Sequence, residues 1–402
     1  MNFPSFSKQQ LSTVLWGAYL LSSLSVAQGH RYVDPALDRF NLPGGDGASV
    51  LTDTGDRQII RMRNWSALYE TRSVAAGDYT LPLPESTEDF SEFSYRVDGK
   101  DYSLDEYLVR NENAGLLVIK DGEIKLEHYG MGNTEHTLWA SFSMSKSVTS
   151  LLLGAAIKDG YIASVDDRVT DYLPRLKNSS YDGVSIRNVL QMSSGVAWNE
   201  DYTDLESDVA SYPGMDLVKI FKFLGEKEPV SSPGEVFNYN TGETDLVGAI
   251  VRAAIGNNLS AYLEYKIWQP FGMEFDANWA THGKAGERAG CCMNVTLRDY
   301  GRIGLFAMNG GVLADGTAVL PSNWMAQSTT PSKGSVGYGY LWWLAPERTY
   351  SARGIFGQAI HINPAENLVV VVLSAWSHAA AGGTVSEQHR VALYQALATH
   401  LK

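Results

Sequence analysis

The spacing of hydrophobic positions divides the chain into stretches of different character. Residues 28–112 are rich in Asp, Gly and Ser with only short apolar runs, which suggests an irregular N-terminal wrap. From Ala114 the pattern sharpens. Apolar-rich runs at 116–120 and 123–129 flank Asp121-Gly122, a pair suited to a two-residue hairpin turn because both residues tolerate positive φ. Two strands therefore precede Ser143. Residues 143–158 contain Met144, Val148, Leu151, Leu152, Ala155 and Ile157, a mostly apolar helix whose composition implies burial on nearly all sides, with Gly160 placed to end it.

Helical patterns separated by Pro and Gly fill 165–290, among them 245–255 and 259–268. A further helix is predicted from Thr296 to Asn309, then strand-like runs at 338–344, 354–363 and 368–374, and a last amphipathic helix over 385–401. Strands at both ends with helices between them predict an α/β fold in two parts. One lobe is built from about 90–165 plus 290–402, and a helical lobe of about 166–289 is inserted into it. The cleft between them is the expected place for a site. The chain shows no internal repeat and no low-complexity tract.

Composition narrows the function. The 402 residues have a formal net charge of -13 and no visible basic face, so a nucleic-acid partner is not expected. The uncharged run 11–27 follows the single cation Lys8 and closes on Ser25-Val26-Ala27, the small residues a signal peptidase favours. A secretory leader cut after Ala27 is expected, giving a periplasmic or secreted protein of 28–402. The run falls short of the ~20 apolar residues that span a bilayer, so no membrane anchor is expected. The two cysteines, Cys291 and Cys292, are adjacent, which is no disulfide framework; two buried thiols are expected in preference to a strained ring. No His/Cys spacing suits zinc, so neither metal nor cofactor is expected. The chain carries no signal for an oligomeric state.

The chemistry concentrates at Ser143-Met144-Ser145-Lys146. Positions i and i+3 of a helix share a face, so the hydroxyl and the amine can reach each other. A serine alcohol is a poor nucleophile until a base takes its proton, and burial lowers a lysine pKa toward the range where it can serve. Free amides at the helix start favour an oxyanion beside Ser143. The four letters alone are weak evidence, since Ser5-Phe6-Ser7-Lys8 repeats them in the leader. The G-x-S-x-G elbow of Ser-His-Asp hydrolases is absent, and His128 and His136 are expected at a strand edge or in a loop.

Four segments in order are far more specific: the tetrapeptide, Asn188-Val189-Leu190-Gln191-Met192-Ser193-Ser194-Gly195, Phe237-Asn238-Tyr239-Asn240-Thr241, and Gly337-Tyr338-Gly339-Tyr340-Leu341-Trp342-Trp343. Together they resemble the serine β-lactamase and penicillin-binding superfamily over roughly 100–400, most of all its class C branch of 6-aminohexanoate-dimer hydrolases and related esterases. The resemblance implies a β-lactamase/transpeptidase-like fold, an antiparallel sheet flanked by helices. It also implies that Ser143 is the nucleophile, Lys146 its base and Tyr239 the relay that protonates the leaving group. A strand at 352–358 would supply the Ile355 amide as second oxyanion donor beside that of Ser143, with Gly354 leaving room for substrate. Tyr202, in Glu200-Asp201-Tyr202, is implied as a substrate contact, and Thr241 stands where a small hydroxyl is tolerated.

Two departures count against penicillin recognition. Ala352 replaces the cation that grips a substrate carboxylate, and Thr241 replaces an Asn. The acidic run Asp201, Asp204, Glu206 and Asp208 is expected to be a solvated loop. The expected activity is hydrolysis of small linear amides or short esters through an acyl-enzyme. The alternatives are β-lactamase or D,D-peptidase activity, or a non-catalytic envelope protein that binds peptidoglycan fragments.

Overall fold

The computed structural model describes residues 47–402 apart from 213, 214, 284, 285 and 381, together with residues 37 and 42; the expected leader, 1–27, lies outside the described residues. The main sheet has six strands: β1 Asn113–Lys120, β2 Glu123–Tyr129, β3 Trp343–Leu344, β4 Tyr350–Arg353, β5 Ala359–Asn363 and β6 Leu368–Ser374. Their order is β2-β1-β6-β5-β4-β3, antiparallel throughout. The β1–β2 hairpin forms at the expected pair, with Asp121 and Gly122 both in the left-handed region.

Three helices pack on this sheet, α1 Met144–Lys158, α3 Leu297–Met308 and α4 Val385–His400, and α2 Thr241–Ile255 packs on α1. Both sheet faces are covered, which explains why β6 reads as an unbroken apolar run. Val369, Val371 and Leu373 join Leu117 and Ile119 in the larger core, toward α1 and α3. Leu368, Val370 and Val372 join Leu116 and Val118 in a second core with Leu393 and Leu397 of α4. Full burial of one such side chain stabilises the fold by about 1.5–3 kcal/mol.

α1 is buried from Met144 through Ala156 and packs against α2 and β4, so its first turn is fixed from several directions. Asn240 caps α2 by accepting from the Glu243 amide, which starts that helix at Thr241, a turn earlier than its apolar residues suggested. A second antiparallel sheet, in the order 71–74, 277–280, 293–295, 139–140, leads the chain up to Ser143. Its strand Ala277–Ala280 lies inside the stretch expected to be helical, and Thr71–Val74 lies inside the expected irregular wrap.

Two predicted strands break where side chains other than the sheet satisfy the backbone. In 354–363 only Ala359–Asn363 is a strand, because residues 354–358 make a turn around the buried Gln358, whose Oε1 accepts from the Phe356 amide at 3.1 Å. In 338–344 only Trp343–Leu344 joins the sheet; Tyr338 makes an isolated antiparallel bridge to Trp343, Tyr340 and Trp342 are buried beside it, and Leu341 has a φ of 60°.

Candidate active site

Ser143 occupies the N-cap of α1 and is 9% exposed. The preceding residue, Phe142, has a φ of 43°, a sharp turn that lifts Ser143 off the short strand Trp139–Ala140. One helical turn on, Lys146 is 1% exposed, and its Nζ donates to Ser143 Oγ at 3.0 Å, to Thr241 Oγ1 at 3.0 Å and to the Gly290 carbonyl at 2.7 Å. Burial brings the Lys146 pKa down to about 8; Glu200 and Asp245 oppose that fall, and Arg288 adds to it.

The three partners of Lys146 decide where its lone pair points once it loses a proton. The Gly290 oxygen can only accept. The Thr241 hydroxyl gives its single hydrogen to Glu200, so it too can only accept from the lysine. Two hydrogens of the neutral amine are thus committed, and the lone pair faces Ser143 Oγ.

The surrounding groups hold this arrangement in place. Gly290 has no room for a side chain: a Cβ there would lie 2.8 Å from the Thr241 carbonyl. Asp245 fixes the Gly290 peptide by accepting its amide at 3.0 Å and sits 2.9 Å from His282 Nε2. Glu200, on the loop before the acidic run, accepts from Tyr202 OH at 2.9 Å, from the Thr241 amide at 3.0 Å, and from the Thr241 hydroxyl and Trp198 Nε1. Asp201 and Asp204 form local caps, Asp201 accepting from Thr203 and Asp204 from the Glu206 amide, while Asp208 turns in to pair with Lys227.

Sequence reasoning missed Glu200 and Asp245 as site groups. Glu200 has four acidic neighbours within eight positions, and nothing in their spacing marks the one that faces inward. Thr241 lines the larger cavity, as a substrate contact would, and has a second part to play. With its hydrogen on Glu200 and a lone pair on Lys146, it is a link that positions the amine.

Tyr239 lies just before α2, half-buried. Its ring stacks on Trp343 at 5.4 Å and meets Tyr338 edge-on, while Lys146 Nζ stands 5.2 Å from the ring centre. Burial pushes its pKa up and Glu200 adds to that, against a hydrogen bond with the Ser143 hydroxyl that draws it down. The group is therefore a phenol at neutral pH, able to donate.

Ser143 stands where two cavities meet. The larger and the smaller share Ser143, Tyr202 and Ile355 as walls, and Tyr239 lines only the smaller. The amides of Ser143 and Ile355 donate to no acceptor among the described residues, which leaves both available to an oxyanion. Gly354 lines the smaller cavity, and a glycine there serves the chain's own packing as well. A Cβ there would lie 2.7 Å from the Ser141 carbonyl and 2.6 Å from Gln358 Oε1, so its absence lets the end of β4 close onto the segment leading to Ser143. Gly354→Ala should push the two amides apart and lower kcat by at least about tenfold with a smaller change in KM; steady-state kinetics on a short ester checks this, and an unchanged kcat would refute it.

Cys291 and Cys292, expected as two thiols, are joined in a disulfide, their Cα atoms 3.3 Å apart so that both side chains meet on one side of the chain; they line the larger cavity.

The sequence profile of the beta-lactamase family matches residues 106–394. The 6-aminohexanoate-dimer hydrolase of Paenarthrobacter ureafaciens is 27% identical over 297 residues, which cover 68% of this chain and 75% of that one. A solved structure described as a 6-aminohexanoate-dimer hydrolase homologue, from Bacillus anthracis, superposes with a TM-score of 0.77 at 22% identity, covering 90% of this chain and 98% of that one. A class C beta-lactamase superposes with a TM-score of 0.56 at 18% identity, covering 73% of this chain and 92% of that one. At these identities the structural likenesses speak for the fold.

Proposed function

Because the chain belongs to the beta-lactamase family, whose members are hydrolases of one fold, we propose that it is an exported serine hydrolase cleaving small linear amides or short esters through an acyl-enzyme on Ser143. The observation that carries this reading is the hydrogen-bonding of Lys146, which aims the lone pair of a buried amine at one hydroxyl. Export rests on the uncharged run 11–27 and its small-residue close.

The steps follow from the geometry. Ser143 Oγ attacks the substrate carbonyl carbon as Lys146 takes its proton. The oxygen that gains charge lies between the amides of Ser143 and Ile355. As the C–N or C–O bond breaks, Tyr239 gives its proton to the departing nitrogen or oxygen and recovers one from Lys146. A water then attacks the ester carbon, its proton passing to the same pair, and the acid leaves with Ser143 restored.

This assignment fixes a pH dependence. Only the unprotonated amine can accept the serine proton, so kcat/KM for a neutral ester should rise with pH and level off above about 8, where the Lys146 amine becomes free. A profile flat between pH 6 and 9 would show that another group is the base.

Substrate class is tested by comparing kcat/KM for the 6-aminohexanoate dimer, p-nitrophenyl butyrate and a chromogenic cephalosporin. The short ester should be hydrolysed faster than the cephalosporin, since Ala352 offers no cation to a lactam carboxylate. A cephalosporin hydrolysed fastest would overturn the substrate assignment.

A further inference from the structure

The walls of the larger cavity are mostly apolar, among them Trp65, Phe142, Val209 and Tyr212, and a single charged residue, Arg288, stands with them among the described residues. Arg288 Nε is buried with no hydrogen-bond partner, and no ion pair to Arg288 forms among the described residues. Asp245, the carboxylate whose charge acts on Arg288, has its oxygens on the Gly290 amide and His282. Burial lowers the proton affinity of Arg288 and Asp245 opposes that fall, as expected of a cation matched only at a distance. Arg288 as a whole is half-buried, and with its buried Nε left empty its desolvation is only partly compensated until an anion arrives.

Which part of the substrate meets Arg288 follows from Tyr239. The phenol that protonates the leaving group lines the smaller cavity and not the larger, so the leaving group departs on the smaller side and the acyl chain extends into the larger. We propose that Arg288 selects acyl chains that end in a carboxylate, so that the favoured substrates are half-amides or half-esters of linear dicarboxylic acids. This inference rests on the acyl-enzyme reading above and deepens it. Hydrolysis of such a substrate breaks the bond from acyl carbon to nitrogen or oxygen, adds one water, and yields a dicarboxylate with the free amine or alcohol. It also sets this cavity against a 6-aminohexanoyl chain, whose terminal ammonium would face a second cation.

Three p-nitrophenyl esters of similar length separate the cases: the adipate half-ester, the hexanoate and the 6-aminohexanoate. In the native protein kcat/KM should fall in that order, with adipate ahead of hexanoate by about tenfold to a hundredfold, as befits a charge-assisted pair in a water-poor pocket. In Arg288→Gln the adipate-to-hexanoate ratio should drop to about one, and in Arg288→Lys it should be partly restored. Ratios taken within one variant read only its folded molecules. Hexanoate equal to or faster than adipate in the native protein, or a ratio that survives Arg288→Gln, would overturn the proposal. Calorimetric titration with adipate and with hexanoate reads the same site without turnover. Adipate bound more tightly, with the difference lost in Arg288→Gln, supports Arg288 even if no ester is hydrolysed and the acyl-enzyme reading falls; equal binding of both acids overturns it.

Discussion

Ser143→Ala should lower kcat/KM for p-nitrophenyl butyrate by about 10⁴-fold or more, while leaving the fold intact. The expectation rests on the hydrogen-bond logic around Lys146. The amine is committed to Gly290 and Thr241, so its lone pair has one target, and removing the hydroxyl leaves no other nucleophile in line with the free amides of Ser143 and Ile355. Stability should change little, since the lost hydroxyl accepts one hydrogen bond and faces an open cavity. Initial rates together with a thermal melt check both halves. A loss below about tenfold would mean that the chemistry runs elsewhere.

The second large effect is a split between substrates. In Tyr239→Phe, hydrolysis of a linear amide should fall by about 10²–10⁴-fold, whereas a p-nitrophenyl ester should lose less than about tenfold. A nitrophenolate leaves as the anion, but an alkylamine cannot leave unprotonated, and Tyr239 is the phenol in contact with Ser143. The substitution keeps the ring that stacks on Trp343 and meets Tyr338, so a failure of packing does not compete as an explanation. Rates for both substrates on one preparation decide the matter; equal losses would remove the assigned role.

What the sequence shows of this site follows the distance over which each contact forms. Ser143 and Lys146 meet within one helical turn, so local spacing was enough to pair them. The β1–β2 hairpin was likewise legible from the Asp121-Gly122 turn and the apolar runs around it, whereas the antiparallel sheet flanked by helices was implied by the resemblance to the beta-lactamase family. Glu200 and Asp245 reach the site through tertiary contacts that no periodicity encodes: Glu200 looks like its solvated neighbours, and Asp245 like an ordinary helix residue. The segments 338–344 and 354–358 misled for a related reason. Aromatic and apolar residues there signal strands, yet Tyr338 and Trp343 are spent framing Tyr239, and Gln358 draws the chain into a turn that sets Ile355 beside Ser143. Gly354 was legible as a close approach, although the partner it approaches is the Ser141 carbonyl.

The central claim is that one buried amine activates one hydroxyl, and labelling tests it most directly. Intact-protein and peptide mass spectrometry after treatment with an alkyl fluorophosphonate should find one adduct per chain, on Ser143, formed faster at pH 8.5 than at pH 6.5 and nearly absent in Lys146→Met. An unlabelled Ser143, or labelling whose rate does not depend on Lys146, would contradict the account.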